Sequence, residues 1–116
     1  MNIDLLFHIC TKDEWKAYSR SGYIEPDSLA DEGFVHLSTG AQLEGTANNL
    51  YNGCEDCILL VMDPLRLQVP LKLERAEDEE KYPHAYGRIS IDAVIDKLPL
   101  SPDQKGRFEI RVKHFD

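Results

Sequence analysis

The sequence predicts an α+β fold with two helices early in the chain, and three observations lead to it. First, one pattern occurs twice. His8-Ile9-Cys10-Thr11-Lys12-Asp13-Glu14-Trp15 and His36-Leu37-Ser38-Thr39-Gly40-Ala41-Gln42-Leu43 both read His, aliphatic, small, Thr, two residues, Glu or Gln, then a large apolar residue. Second, each copy follows an apolar run, Leu5-Leu6-Phe7 or Gly33-Phe34-Val35. Each His therefore falls near a strand end, and each Thr opens a helix through a capping box. Third, strand-like runs dominate the second half, which separates helices from strands rather than alternating them.

Taken in order, residues 5–10 read as a strand with Leu6, His8 and Cys10 on one face and Phe7 and Ile9 on the other. A helix from about Lys12 to Ser21 carries Trp15 and Tyr18 on its apolar side and stops at Gly22. Tyr23 to Glu32 reads as loop, with Pro26-Asp27-Ser28 as its turn signal. Residues 33–38 form the second His strand, with Phe34, His36 and Ser38 on one face. The helix after Thr39 shows Leu43, Ala47, Leu50 and Tyr51 at helical spacing and closes at Gly53.

Ile58 to Met62 is apolar throughout, as in a strand buried on both faces, and Asp63-Pro64 ends it. Leu71 to Leu73 is a short strand, and the acidic run Glu74 to Glu80 a solvated loop. Tyr82-Pro83-His84-Ala85-Tyr86-Gly87 reads as a compact aromatic turn. Ala93-Val94-Ile95 with Leu98 follows, and Phe108 to Val112 alternates as a half-exposed strand does.

At 116 residues the chain is expected to form a single domain, 1–116, burying roughly two thirds of its unfolded surface without needing disulfides. Thirteen basic against 21 acidic residues give a net charge of −8. Such a surface repels phosphate backbones and anionic lipid, which argues against general nucleic-acid or membrane binding. No run reaches a membrane span, and the first residues lack a basic signal-peptide start. Three cysteines without an export signal read as reduced thiols in the cytoplasm.

The two histidines beside capped helix starts suggest a shared site for a phosphorylated ligand, since free N–H groups and the positive helix end favour anions. His84 joins them as a third candidate. Three imidazoles plus water would also make a zinc site, but no pair has close ligand spacing, so no metal is expected. His114 reads as solvated. Cys54-Glu55-Asp56-Cys57 follows a helix and precedes a strand, the reverse of a redox motif, so both cysteines read as loop residues without a catalytic role. Ser38 and Cys10 are the only nucleophiles near a base; no nucleophile elbow or glycine-rich phosphate loop is present. Tyr51, Tyr82 and Tyr86 are candidates for an aromatic wall.

Phe7-His8-Ile9-Cys10-Thr11, Glu32-Gly33-Phe34-Val35-His36-Leu37-Ser38-Thr39 and Tyr82-Pro83-His84-Ala85-Tyr86-Gly87 together resemble the bacterial domain-of-unknown-function family 952 over almost the whole chain. That family in turn resembles the ADP-ribosyltransferase fold, a compact split sheet that binds NAD in a cleft. The resemblance implies that His8, with Thr11, contacts the nicotinamide-side ribose. It also implies that His36 stands near the nicotinamide-stacking position and that His84 occupies the place of the usual catalytic Glu. Ile9-Cys10 stands where that motif has glycine, and no Glu sits in the matching sequence context. RNA 2′-phosphotransferases share the fold, but their basic surfaces differ from this acidic one.

The expected function is therefore an NAD- or ADP-ribose-like ligand pocket, with ADP-ribosyl transfer as its chemistry. His8, His36 and His84 are the catalytic candidates. His8, Thr11, His36, Ser38, Thr39 and Tyr86 are the cofactor-binding candidates. A non-catalytic interaction module and a His-based metal hydrolase stand as alternatives.

Overall fold

The computed structural model describes residues 5–76 and 79–110. In chain order its elements are β1 (Leu6–Thr11), α1 (Lys12–Ser21), β2 (Tyr23–Ile24), α2 (Asp27–Glu32), β3 (Val35–His36) and α3 (Leu43–Leu50), then β4 (Cys57–Met62), β5 (Leu71–Arg75), β6 (Lys81–Ala85), β7 (Ile89–Ser90) and β8 (Val94–Pro99). All strand pairs are antiparallel, in sheets ordered β1-β4-β8, β2-β7 and β3-β6-β5. The chain is thus mixed α and β, with three α-helices among the described residues, all in the first half.

The central β1-β4-β8 sheet separates two apolar clusters. Leu6, Cys10, Leu60 and Met62 face Tyr18 of α1, Ile24, Ile89, Val35 and Ala85. Phe7, Ile9, Leu59 and Val61 face Leu43 and Ala47 of α3, with Leu100 and Phe108. Burial on both sides explains why residues 58–62 read as unbroken apolar sequence. Alternation along β1 sorts its side chains as the sequence implied. Each fully buried Leu, Ile or Phe contributes on the order of 1.5–3 kcal/mol.

Helix α1 begins as expected. The Thr11 hydroxyl accepts the Glu14 N–H at 3.1 Å, and the Glu14 carboxylate accepts the Thr11 N–H at 2.9 Å. Gly22, at φ 84°, closes it by donating its N–H to the Tyr18 carbonyl. The second unit departs from the first. Gln42 still accepts the Thr39 N–H at 3.2 Å, but the helix starts only at Leu43 and no side chain caps it. Gly40, the weakest helix former short of proline, follows Thr39 and favours a turn there.

Other expectations are corrected. Residues 23–32 are not loop: Tyr23–Ile24 pair with Ile89–Ser90, and Asp27–Glu32 form a short helix that gives too few turns to show a periodicity. Residues 82–87 are not simply a turn, because Lys81–Ala85 is the middle strand of its sheet. Pro83 disguises it. Its carbonyl accepts the Leu37 N–H at 3.0 Å but it has no N–H to return, so the β3–β6 ladder weakens just where the chain leaves β6. Only Val35–His36 of the 33–38 run is regular strand; past it Leu37 faces Pro83 and Ser38 bridges Phe7 instead.

The Phe108 to Val112 strand is also not found: 108–110 are irregular, and 111–112, like His114, lie outside the described residues. Side chains of α3 take the place of a neighbouring strand. Asn48 exchanges hydrogen bonds with the Phe108 backbone at 2.7 and 2.9 Å, and Glu44 accepts the Ile110 N–H at 3.0 Å. Cys54 and Cys57 are joined by a disulfide, not held as free thiols: the turn after α3 brings their Cα atoms to 6.0 Å, within bonding range. Cys10 is the remaining free thiol, and it is buried.

The capping box satisfies two backbone N–H groups where β1 passes into α1. Thr11→Ala is expected to lower the unfolding free energy by about 1 kcal/mol. A urea titration read by circular dichroism checks this through a lower midpoint at unchanged slope.

Candidate functional site

The two three-stranded sheets meet at one point. The edge of β1 touches the chain leaving β3 through a single bridge, with Phe7 N–H to the Ser38 carbonyl at 2.9 Å and Ser38 N–H to the Phe7 carbonyl at 2.8 Å. The same register would set Ile9 opposite His36, but there the edges have parted. The His8 side chain spans the gap, donating Nδ1–H to the His36 carbonyl at 2.8 Å. Beside this seam opens a cleft of about 700 Å³ lined by His8, His36, His84, Glu32, Ser38 and Tyr82 among others. That volume falls in the range of small-molecule sites.

The three sequence-predicted histidines therefore share one cleft, and each is held differently. His8 is buried; its burial pushes the imidazole pKa below the ordinary value, against the opposing pull of the His36 carbonyl. With Nδ1–H given to a carbonyl, neutral His8 keeps Nε2 as an acceptor. His36 is half exposed and its Nε2–H donates to Glu32 at 2.7 Å. His84 is buried in β6, register-paired with His36 on one side and Lys72 on the other. Its Nδ1–H donates to Glu74 Oε1 at 3.0 Å.

Phe34 organises this corner. Its ring stacks on His84 at 4.0 Å between centroids, meets His36 edge-on at 4.9 Å and lies 5.4 Å from Tyr86. Such pairs are worth roughly 0.5–1.5 kcal/mol each beyond area burial. The Tyr86 hydroxyl donates to the same Glu74 oxygen that His84 uses. The Tyr86 bond, followed by the His84 bond, holds the Glu74 carboxyl below the usual range, and the same contact raises the Tyr86 phenol. Lys72 lies over the Tyr86 ring at 4.8 Å.

Other candidates fare less evenly. Ser38 lines the cleft, with its hydroxyl donating to Thr46 Oγ1 at 3.2 Å. Cys10 is fully buried and its thiol is pushed up to about 12 by that burial, so it is not a nucleophile at neutral pH. Thr11, Thr39 and Tyr86 are not among the lining residues. Thr11 is spent on capping α1, and Glu14 places its own carboxylate at the helix start where an external anion was expected. Tyr51 and Tyr82 do line the cleft; Tyr51 donates its hydroxyl to the Ile9 carbonyl on the open β1 edge at 3.2 Å.

Glu32 and Glu74 are the residues that sequence reasoning missed. Glu32 was read as the end of a loop and Glu74 as part of a solvated acidic run. The available signal for Glu74 was its two-residue offset from Lys72 beside an apolar Leu71–Leu73 alternation, which marks a strand continuing into the acids. No Lys or Arg lines the cleft among the described residues. Also among them, no group of three or more His, Cys, Asp or Glu is placed to hold a metal ion. No helix there is long and apolar enough to cross a membrane.

Residues 9–97 match the family described as "Protein of unknown function (DUF952)". The chain is similar to the crystal structure of protein CC0527 from Caulobacter crescentus, at 30% identity and a TM-score of 0.81, covering 90% of this chain and 93% of that one. The solution NMR structure of CC0527 gives 27% identity and a TM-score of 0.76, covering 92% and 93%. No curated protein matches the chain.

The His8 environment generates a pH dependence. Its folded pKa is depressed, so below about 6.5 the unfolded chain binds a proton that the folded chain refuses. The contribution of His8 to stability is therefore full above that value and is lost as pH falls through the interval beneath it. His8→Gln, which keeps a donor for the His36 carbonyl, should show a shallower loss of unfolding free energy from about pH 7 to pH 5. Urea titrations at several pH values check this, and equal slopes for the two proteins would sink it.

Proposed function

Because the chain belongs to the DUF952 family, whose description carries no activity, we propose its function from the cleft itself: it binds the nicotinamide–ribose end of an NAD-like dinucleotide and transfers the ADP-ribosyl group. The observation that carries this reading is the convergence of His8, His36 and His84 on one cleft at the split between two sheets. This is the arrangement that an ADP-ribosyltransferase-like split sheet would supply.

Each group has work that suits such a ligand. Neutral His8 accepts a hydrogen bond from a ribose hydroxyl through Nε2. His36, held by Glu32, lines the nicotinamide end, and the Tyr51 and Tyr82 rings flank a flat heterocycle. Nicotinamide attached to ribose is cationic, and a cleft with Glu32 and no described Lys or Arg favours a cation over a diphosphate. The diphosphate and adenosine would then extend outward.

In transfer, an acceptor attacks ribose C1′ while the bond from C1′ to the nicotinamide nitrogen breaks. The bonding pair returns to the ring, which leaves as neutral nicotinamide. The Glu32 carboxylate, fixed by His36, stabilises positive charge developing on the ribose, and this supplies the acid that no sequence motif offered. The reading includes the cytoplasm as the setting, where the Cys54–Cys57 bond would be open to reduction. A non-catalytic binding module is the second reading, favoured by the lack of a described cation for the diphosphate.

Thermal denaturation tests the proposal. NAD at about a hundred times its Kd should stabilise the protein by roughly 2.7 kcal/mol, and ADP-ribose, which lacks nicotinamide, should do less. His36→Ala should remove the NAD response without unfolding the chain, because the side chain is half exposed. No shift with NAD up to millimolar levels would favour the binding-module reading.

A further inference from the structure

The strongest arrangement of side chains not yet given a task is the line Tyr86–Glu74–His84. Tyr86 and His84 both donate to Oε1 of Glu74 on β5, His84 from within β6 and Tyr86 from just past its end. A carboxylate that accepts from Nδ1–H fixes the imidazole in one tautomer and leaves Nε2 unprotonated. Among the described residues nothing bonds Nε2 of His84, and no buried side-chain polar atom lacks a partner, so that nitrogen reaches open space. The ring itself lines the cleft.

Three further contacts resist rotation of that ring: Phe34 stacked on its face, His36 edge-on at 5.2 Å, and the register of β6 between β3 and β5. A histidine serving only as packing needs neither a carboxylate nor a second donor that fixes that carboxylate. The sheet positions the group to take a proton in a defined direction.

We propose that His84 is the general base of this cleft, that Glu74 and Tyr86 are its positioning residues, and that the acceptor is accordingly a hydroxyl group or water. This rests on the transfer reading above. An acceptor that is already a carboxylate needs no base; an O–H acceptor does. The acceptor oxygen forms its bond to ribose C1′ as the C1′–N bond breaks, and the electron pair leaves with nicotinamide. The acceptor's proton passes to Nε2 of His84, and Glu74 stabilises the resulting imidazolium. The step consumes no oxidant or reductant.

Two measurements on the full chain test this. In nitrogen-correlated NMR of the histidine rings above their titration range, His84 should be mainly the Nδ1–H tautomer, and Glu74→Ala should shift it toward Nε2–H while amide shifts away from β5 and β6 stay in place. A wild-type ring that is mainly Nε2–H, or a tautomer indifferent to Glu74, overturns the positioning role. With NAD as substrate and water as acceptor, nicotinamide release by His84→Ala should show kcat reduced on the order of 10²-fold or more and KM within about threefold. Glu74→Gln should fall between the two. A wild type that turns over while His84→Ala keeps pace overturns the base role alone. A wild type that neither binds NAD nor releases nicotinamide overturns the transfer reading, and the base role with it.

Discussion

The structure depends on one hydrogen bond between elements that have otherwise separated: His8 Nδ1–H to the carbonyl of His36. Two sheet edges approach each other, pair once at Phe7 and Ser38, and part. Without a bridge across the widening gap, the His36 carbonyl would lose its partner and the β3 segment one of its ties to β1. With it, the gap stays bridged beside a cleft lined from both sheets and from helices α2 and α3. Pro83 is the counterpart on the other side. By withholding an N–H from β3, it releases the chain toward β1 at the residue where the crossing has to begin.

Within that cleft, three imidazoles are oriented by three different partners. A backbone carbonyl fixes His8, Glu32 fixes His36, and Glu74 fixes His84. Burial pushes the His8 imidazole below its ordinary pKa, and its partner is a neutral carbonyl rather than a carboxylate. The outcome is a small volume containing acceptor nitrogens, one well-placed acid and aromatic walls. In the reading proposed above, such a set suits a ligand with hydroxyls and a positive ring better than one dominated by phosphate.

The sequence made the histidines legible because their context was repeated, and made the central sheet legible because double-sided burial leaves an unbroken apolar run. The elements it concealed share a cause. Helix α2 is too short to display a period, β6 carries a proline in the middle of a sheet, and Glu74 continues a strand into a run of acids that looks solvated. Phe108 to Ile110 shows the reverse: its alternation is real, yet its N–H groups are met by Asn48 and Glu44 from α3 rather than by a strand. In each case the deciding partner lies far away in the chain, and local pattern has no access to it. The split of the sheet is of this kind, and so is the pairing of two glutamates with two histidines.

The double employment of His8 bears on how the lineage of such a protein would change. One ring nitrogen closes the seam between the sheets and the other faces the cleft, so under the transfer role proposed above selection on shape and selection on chemistry act on the same codon. A descendant that abandoned the reaction would still lose a tie in its framework by replacing this histidine. His36 carries no such obligation, because its contribution to the seam is a carbonyl that any residue possesses. Position 8 would therefore outlast the chemistry, whereas position 36 would be free to drift as soon as the cleft fell idle.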